Sequence, residues 1–248
     1  MNDRSKSHSV ASHVPRPREP SMDALEAIRR RRSVRRYTDR PVSATDVDRL
    51  LRLALMAPSE SMAQAWSFVV VRNRREELAD LVVRGGGEYF RIMREPVGGV
   101  DEDEHAAWAR GYAEQVVGGV RHAPVWIVPV LVPRRTIPEP HRERLAAREA
   151  AAEMMSLAFA LENLLVAARA MDLGTLPTNF HGFYESEFRA WLALPAEVSA
   201  PIITPLGYPV EFPTSLPPAL AAARRPWRSL VHDETWGAPR SRTPATHA

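Results

Sequence analysis

The feature that most constrains the fold is a long helical segment, from about residue 144 to residue 171. Its central part, 158–168, is mostly alanine and leucine, and the apolar residues cover most of the helix surface rather than one stripe. Such a helix is stable in water only when other structure covers it on more than one side. The segment therefore predicts a helix at the centre of the core or at a subunit interface. We expect Gly174 to end it as a C-cap glycine.

Strands and helices alternate through the rest of the chain. Short apolar or β-branched runs predict three strands, at 68–71, 125–131 and 200–206. Apolar residues at helical spacing predict further helices at 74–83 and 184–194. This alternation predicts an α/β or α+β sheet with helices packed on it.

Two more helices are marked by serines that can cap them. Ser21 can cap a helix that runs into a cluster of arginines, with Leu25 and Ile28 directed inward. Ser43, followed three residues later by Asp46, can cap the next helix. We therefore expect folded structure to begin at Ser21.

Composition divides the chain into three parts. Residues 1–20 are polar and proline-rich, which predicts a disordered N-terminal arm. Residues 21–236 are expected to form the folded domain, and 237–248 a flexible tail. Within the domain, 85–122 has no clear period and combines glycine, aromatic and charged residues, which predicts a lid. The proline-rich stretch after Tyr208 has little core character and is expected to wrap another surface.

Composition also removes several kinds of chemistry. The chain has no cysteine, which excludes disulfides, thiolate nucleophiles, thiolate metal sites and iron–sulfur clusters. Lys6 is the only lysine and lies in the N-terminal arm, which disfavours a pyridoxal phosphate Schiff base and a Walker phosphate loop. The histidines show no close pairing suited to a metal. Redox chemistry would therefore have to come from a bound cofactor.

The same considerations bear on partners and compartment. No stretch approaches the roughly 18 consecutive apolar residues of a membrane span, and the N-terminus lacks the apolar region of a secretory signal. We expect a cytoplasmic protein with no membrane partner. The net charge of +3 is modest for 248 residues, so nucleic acid is not an expected partner.

An arginine cluster around Val34 is the main candidate for a site. Residues 29–36 contain six arginines and Ser33, at the expected end of a helix. Forked guanidinium groups beside a hydroxyl can give a phosphate several charged hydrogen bonds. The alternative, which composition alone favours, is a solvated charged face.

Several short motifs occur with this cluster in a fixed order. After Arg30–Tyr37 come Pro41-Val42, Leu50-Leu51, Ala57-Pro58-Ser59, Gln64, Trp66 and Phe68–Val71. Further on come His122-Ala123-Pro124-Val125, Glu162–Ala168, Gly174 and Leu206-Gly207-Tyr208-Pro209. In combination, these motifs resemble the nitroreductase family over roughly residues 25 to 236.

The resemblance implies an α+β, nitroreductase-like subunit with a mixed, mainly antiparallel central sheet flanked by helices. It also implies a domain-entwined homodimer that binds flavin mononucleotide (FMN) at each of two interface sites. The positions that hold the FMN phosphate and ribityl chain are matched by Arg31, Arg32 and Ser33. Arg35 matches the position beside the flavin pyrimidine, where a cation stabilises the negative charge left by reduction. Arg224 and Arg225 match a basic pair that completes the phosphate pocket, with ordinary tail arginines as the alternative.

A loop matched by Pro58, Ser59, Glu60 and Met62 reaches the flavin from the other subunit, according to the same resemblance. The family often has small residues followed by asparagine where this chain has Glu60 and Met62, and Ala65 replaces the usual proline. Met62 can still pack on the flavin as an apolar neighbour.

Pro177, Thr178, His181 and Gly182 match the stretch that lies along the flavin ring. Gly182 matches the position whose backbone N–H points to flavin N5, which is the implied catalytic contact, and a glycine permits close approach there. His181 replaces an acidic residue, and a lone histidine favours a structural role. Candidate substrate-pocket residues, which ordinary core packing explains equally well, are Tyr89, Phe90, Met93, Trp108 and Tyr112.

The implied activity is that of a ping-pong NAD(P)H:acceptor oxidoreductase. NADH or NADPH reduces FMN and leaves, and a nitroaromatic compound, a quinone or a similar small acceptor then takes the electrons. No Rossmann Gly-x-Gly-x-x-Gly fingerprint occurs, and none is needed if the nicotinamide only stacks on the flavin. The alternatives are an enzyme that fragments its own flavin to dimethylbenzimidazole, a non-catalytic flavin-sequestering protein, and a basic nucleic-acid binder.

Overall fold

The centre of the fold is a four-stranded sheet in which every strand is antiparallel to its neighbours. The computed structural model describes residues 21–94, 101–133 and 138–238. Its strands are β1 Trp66–Val71, β2 Val125–Leu131, β3 Gly174–Thr175 and β4 Thr204–Gly207, in the order β1-β2-β4-β3. The predicted α+β fold with a mainly antiparallel sheet is confirmed. The predicted arm at 1–20, part of the predicted lid (95–100) and most of the predicted tail lie outside the described residues.

Two of the three predicted strands agree closely with the sheet. β2 has the predicted bounds and is buried at every residue, while β1 begins two residues earlier than expected. The strand predicted at 200–206 is only partly right, because β4 begins at Thr204. Upstream of it, the Ala200 carbonyl accepts a hydrogen bond from the His181 ring, and Ile203 pairs with Thr178 in an isolated bridge. The Thr178–Ile203 bridge keeps the register of the β3–β4 pairing, but the Ala200 carbonyl is not available to extend the strand further upstream.

The described residues form seven α-helices, the first six of which belong to the same compact unit as the sheet. They are α1 Ala24–Arg30, α2 Ala44–Ala54, α3 Arg75–Met93, α4 Glu102–Val117, α5 Arg142–Ala170, α6 Glu185–Leu192 and α7 Pro218–Ala223. Four short 3-10 turns accompany them, at Glu60–Met62, Gly118–His122, Phe180–Tyr184 and Trp227–Ser229.

The long helix α5 is central, as predicted. Its inner face, including Leu161, Leu164 and Leu165, packs on the sheet and on α2. Its outer face is partly exposed, with Met155 at 55% and Phe159 at 51%. In length and composition α5 could also cross a membrane, but its inner face packs as that of a core helix does.

The end of α5 differs from the prediction. Met171 is the C-cap and Asp172, not Gly174, adopts the left-handed conformation, with φ of 56°. Asp172 is held there by the Ser21 hydroxyl, which donates to its Oδ1 at 2.9 Å. Gly174 lies in β3, so the predicted C-cap role of this glycine is wrong.

Capping was predicted correctly for α2 and incorrectly for α1. The Ser43 hydroxyl accepts the Asp46 N–H at 3.0 Å, as expected. At α1, Asp23 rather than Ser21 is the N-cap, because Ser21 is bonded to the end of α5. The inward direction of Leu25 and Ile28 is also wrong, since they are 67% and 57% exposed. Helix α1 therefore presents apolar side chains outward.

The region predicted as a lid is largely a pair of packed helices, α3 and α4, followed by the turn Gly118–His122. Helix α3 does not end at residue 83 but continues through Gly85, Gly86 and Gly87, all of which are buried. A Cβ on Gly85 would overlap the carbonyl of Phe180. The glycines therefore allow α3 to pack directly on the Phe180–Tyr184 turn.

The chain divides into two compact units, with the division after Phe212. The first unit contains the sheet and α1 to α6. In the second, α7 is followed by the Trp227–Ser229 turn, and the Asp233 N–H donates to the Ala238 carbonyl. The division falls inside the single domain predicted for 21–236.

Candidate functional site

The arginine segment after α1 lies beside β3 and is joined to it by an isolated bridge. Ser33 and Thr175 form a parallel bridge, and the Val34 N–H donates to the Thr175 carbonyl at 2.9 Å. A Cβ on Gly174 would lie 2.8 Å from the Val34 side chain, which is closer than real contacts allow. Glycine at this position therefore permits the close approach that fixes the arginine segment to the sheet.

Two buried side chains hold this segment from the core side. Val34 is 1% exposed, and the Tyr37 hydroxyl donates to the Val34 carbonyl at 2.8 Å. Burial raises the pKa of Tyr37 well above 10, although Arg35 lowers it in part, so the hydroxyl keeps its proton. Ser33 and Arg35, on either side of Val34 in the sequence, are half-buried.

The guanidinium groups of this segment keep hydrogen-bonding capacity. Arg32 Nη1 donates to the carbonyls of Arg29 at 2.9 Å and Arg31 at 2.8 Å. The buried Nε atoms of Arg32 and Arg35 have no hydrogen-bond partner among the described residues. Arg31 Nε is 3.9 Å from Glu162 Oε1, a partly exposed pair of little energetic weight. Buried charged donors without partners fit an anionic ligand such as a phosphate.

The stretch matched to the flavin ring continues directly from β3. The Leu176 N–H donates to Thr204 Oγ1 at 3.0 Å, and Thr178 pairs with Ile203. Pro177 and Thr178 are half-buried. The structure thus brings the arginine segment and residues 175–178 to the same edge of the sheet.

Gly182 lies in the turn that follows. It is exposed, and a Cβ built on it would meet nothing within 4 Å, so there is open space beside its Cα. Its N–H donates to the Asn179 carbonyl at 2.9 Å. A flavin atom at this position would share that N–H or replace the Asn179 carbonyl as its acceptor.

The His181 side chain is part of the core. It is 1% exposed, its Nε2 lies 2.8 Å from the Ala200 carbonyl oxygen, and its ring centroid is 4.5 Å from that of Phe188. Burial lowers the pKa of His181, so the neutral ring donates from Nε2. This arrangement supports a structural role, and only the backbone of His181 could line a ligand site.

The loop from Pro58 to Met62 contacts a different part of α5 from the part that Arg31 contacts. The Glu60 N–H donates to Ser156 Oγ at 3.4 Å, whereas Arg31 meets α5 at Glu162. Six residues of helix separate these two points by about 9 Å. Within one chain, the loop and the arginine segment are therefore at different places along the same helix.

The conformation of this loop is unusual. Ser61, Met62 and Gln64 have φ of 46°, 55° and 46°, a region that side chains other than glycine rarely adopt. The Ser59 hydroxyl accepts the Gln64 N–H at 3.2 Å and so stabilises the turn. Met62 is 75% exposed, which leaves an apolar side chain on the outer surface.

Two of the predicted pocket aromatics, Tyr89 and Phe90, pack on the Phe180–Tyr184 turn, and two others, Tyr112 and Trp108, continue from them. The Phe180 ring centroid is 5.3 Å from that of Tyr89 and 6.1 Å from that of Phe90. Phe90 is in turn 4.8 Å from Tyr112, which stacks on Trp108 at 5.5 Å. These rings form a continuous wall from the turn along α3 and α4.

Arg224 and Arg225 lie in the second unit. Arg224 is the C-cap of α7, and Arg225 Nη2 donates to the Ser229 carbonyl at 3.0 Å. Their contribution to a phosphate pocket stays a prediction. Among the described residues, no cluster of His, Asp and Glu could hold a metal ion.

Sequence reasoning missed several residues that shape the site. The Thr175 carbonyl accepts the Val34 N–H of the arginine segment, and the Tyr37 hydroxyl donates to the Val34 carbonyl. Gly85 lets α3 pack directly on the Phe180–Tyr184 turn. Only Tyr37 carried a signal, as part of the arginine motif; the other two act through contacts between residues distant in sequence.

The antiparallel sheet with flanking helices, and the arginine segment at the edge of that sheet, define a nitroreductase-like α+β protein. Residues 28–208 match the model of the nitroreductase family, and the chain belongs to that family.

Two relatives illustrate the match. The NADH dehydrogenase of Thermus thermophilus is 30% identical over 191 residues, which cover 74% of this chain and 85% of that protein. The 4-nitrobenzoate reductase of a Nocardioides strain is 40% identical over 78 residues, 31% of this chain and 32% of that protein. The chain spans about a third or less of the length of four curated relatives that it matches.

Solved structures agree on the fold. Nitroreductase A of Vibrio parahaemolyticus superimposes with a TM-score of 0.61 at 18% identity, covering 88% of this chain and 79% of that one. The NADPH:FMN oxidoreductase of Vibrio harveyi, in complex with NAD+, gives 0.60 at 19%, with the same coverage. A nitroreductase of Bacteroides fragilis with bound FMN gives 0.55 at 24%, covering 79% and 93%.

Proposed function

We propose that the chain is an FMN-dependent NAD(P)H:acceptor oxidoreductase whose acceptor is a nitroaromatic compound, a quinone or a similar small molecule. The observation that carries the proposal is the pair of buried Nε atoms, on Arg32 and Arg35, that have no partner among the described residues. They lie on the arginine segment, which is bonded to β3, and together they form a donor set suited to an anionic cofactor.

The residues of the arginine segment have two roles in this proposal. Arg31, Arg32 and Ser33 would bind the phosphate and ribityl chain, since guanidinium forks and a hydroxyl match phosphate oxygens. Arg35 would lie beside the pyrimidine end of the ring. Bound FMN would supply the centre that accepts and returns a hydride. The positive charge of Arg35 would favour the reduced, more negative state of that centre.

The turn after β3 would lie along the ring. Pro177 and Thr178 would contact it, and Gly182 leaves open space for close approach. The aromatic wall of α3 and α4 would cover planar acceptors and limit access of water. A nicotinamide that stacks on the ring needs no Rossmann motif, in keeping with its absence from the sequence.

The names of relatives support this activity. An NADPH:FMN oxidoreductase and an FMN-bound nitroreductase share the fold, and an NADH dehydrogenase and a 4-nitrobenzoate reductase share sequence. Four of the sequence matches cover a third or less of the relative, so the proposed activity is argued mainly from the residues of this chain's own site.

A homodimer is part of the proposal. The adjacent elements α1, α2, α5 and the Glu60–Met62 turn carry large exposed apolar side chains, which are Leu25, Ile28, Leu53, Leu55, Met56, Met62, Met154, Met155 and Phe159. Exposed apolar side chains on elements that all contact α5 support an interface on this part of the molecule. A second copy there would bring its loop at Pro58, Ser59, Glu60 and Met62 to the flavin.

The experiment is to purify the full chain and record its absorption spectrum, then to add NADH or NADPH without oxygen. The proposal expects a yellow protein with an FMN spectrum that either nicotinamide bleaches and that a nitroarene or quinone restores. A colourless protein that binds DNA in a salt-sensitive manner would overturn it. Bound FMN that no nicotinamide reduces would instead indicate flavin sequestration.

A further inference from the structure

A cationic aromatic cluster lies at the far end of α3, away from the arginine strand. We define the Arg94 cluster as Arg94, Trp108 and Tyr112. The guanidinium carbon of Arg94 is 4.7 Å from the Tyr112 ring centroid and 5.5 Å from that of Trp108. Arg94 Nη2 also donates to the Tyr112 hydroxyl at 3.3 Å. The two rings pack against the guanidinium group, and Tyr112 accepts a hydrogen bond from one of its nitrogens, Nη2. The other guanidinium nitrogens have no hydrogen-bond partner among the described residues.

The charge of Arg94 has no acidic partner among the residues that the structure describes. One turn earlier, Arg91 pairs with Glu88 at 3.0 Å and lies 4.0 Å from Glu102, whereas no carboxylate of a described residue is within 4.0 Å of Arg94. Arg94 is exposed, and Trp108 beside it is 40% exposed. A free cation next to exposed aromatic surface is the chemistry that binds an anionic group attached to a planar ring.

The distance between the Arg94 cluster and the Phe180–Tyr184 turn limits which ligand could reach both. Helix α3 touches the Phe180 carbonyl at Gly85, and Arg94 is nine residues further along the helix. At 1.5 Å per residue, this is about 13 Å along the axis. A single-ring acceptor stacked near the turn is much shorter than that separation. A dinucleotide, in which two nucleosides are joined by a pyrophosphate, is long enough.

We propose that the Arg94 cluster binds the adenosine 2′-phosphate of NADPH and thereby gives the enzyme a preference for NADPH over NADH. The inference rests on the proposed function, because the nicotinamide end must reach the flavin. Arg94 pairs with the phosphate through its free donors, and the adenine contacts the exposed edge of Trp108. NADH lacks the 2′-phosphate and gains little from Arg94.

The first test compares anaerobic flavin reduction by NADPH and NADH in the wild type and in Arg94→Gln. We expect the Kd for NADPH to rise about tenfold or more, as the loss of charged hydrogen bonds implies, with little change for NADH. Arg91→Gln is the matched control, because this arginine is on the same helix but already paired with Glu88; its Kd values should stay near wild type. Equal values for NADPH in the wild type and in Arg94→Gln would overturn the inference.

A second test needs no flavin reduction. Adenosine 2′,5′-bisphosphate and adenosine 5′-monophosphate are titrated into each protein by calorimetry. The bisphosphate should bind the wild type more tightly, and Arg94→Gln should remove that advantage while FMN content stays unchanged. Wild-type protein that binds both nucleotides equally would contradict the inference even if the flavin is reduced. Flavin that no nicotinamide reduces would contradict the proposed function, whatever the nucleotide titrations give.

Discussion

A Cβ on Gly174 would lie 2.8 Å from the Cβ of Val34, so these two residues set the distance between β3 and the arginine strand. The same strand carries the residues proposed to hold FMN. Packing at Gly174 is therefore coupled to cofactor affinity.

Gly174→Ala should weaken both folding and cofactor binding. The added methyl group must displace Val34, which costs about 1–3 kcal/mol of unfolding free energy, as overpacked cores do. The shifted strand should also lower FMN affinity, measured by fluorescence titration of the apoprotein. Gly111→Ala on α4 is the control, because its Cβ would meet nothing within 4 Å and should leave FMN affinity unchanged. A Gly174→Ala protein with wild-type stability would contradict the close contact between β3 and Val34.

Arg35→Gln should make the flavin harder to reduce. Removing a cation beside the pyrimidine ring takes away stabilisation that is larger in the reduced state, so the midpoint potential should become more negative. A dye-coupled redox titration measures this shift, and Arg35→Lys, which keeps the charge, should restore part of it. Arg36→Gln alters the exposed neighbour and serves as the control. An unchanged potential in Arg35→Gln would refute the assigned position.

His181 should make the fold less stable in mild acid. Burial lowers its pKa from 6.5, so below that pH the unfolded state takes up a proton that the folded state resists. The unfolding free energy should therefore fall as the pH drops from about 7 to 5, by at most ~1.4 kcal/mol per pH unit. Urea unfolding of the wild type and His181→Gln should show a smaller pH dependence in the variant. His122→Gln is the exposed control, and the same slope in His181→Gln as in the wild type would count against burial as the cause.

Local signals in the sequence predicted the parts of the fold that local contacts determine. Ser43 caps α2 because its partner, Asp46, is three residues away. The uninterrupted apolar run of β2 can only be a buried strand or helix, and its length and β-branched residues favour the strand. The arginine motif, Pro58-Ser59, Gly174 and the later motifs are sequence features, so the family could be predicted from their order and spacing in combination.

Contacts between distant residues explain what the sequence did not predict. Gly174 looks like a helix C-cap, but its lack of a side chain serves the approach of Val34, 140 positions earlier. The glycine run at 85–87 has the composition of a helix break, yet α3 continues through it, and Gly85 lets the Phe180 carbonyl lie where a Cβ would otherwise be. Leu25 has the spacing of a core residue, but Ala27 is the buried residue of α1 and Leu25 is 67% exposed.

Phe159→Asp should separate the proposed homodimer. Phe159 is 51% exposed on α5, which also carries the exposed Met154 and Met155, and a charge there would be buried unpaired at an interface. Light scattering should give twice 27.7 kDa for the wild type and about 27.7 kDa for the variant. The monomer should also lose FMN, because the loop around Ser59 and Met62 would then reach no neighbouring flavin. Ile92→Asp is the control: this residue is 59% exposed, but on α3, which packs mainly on α4 and on the Phe180–Tyr184 turn. A wild-type monomer with full FMN, or a dimeric Phe159→Asp protein, would show that this apolar surface serves another purpose.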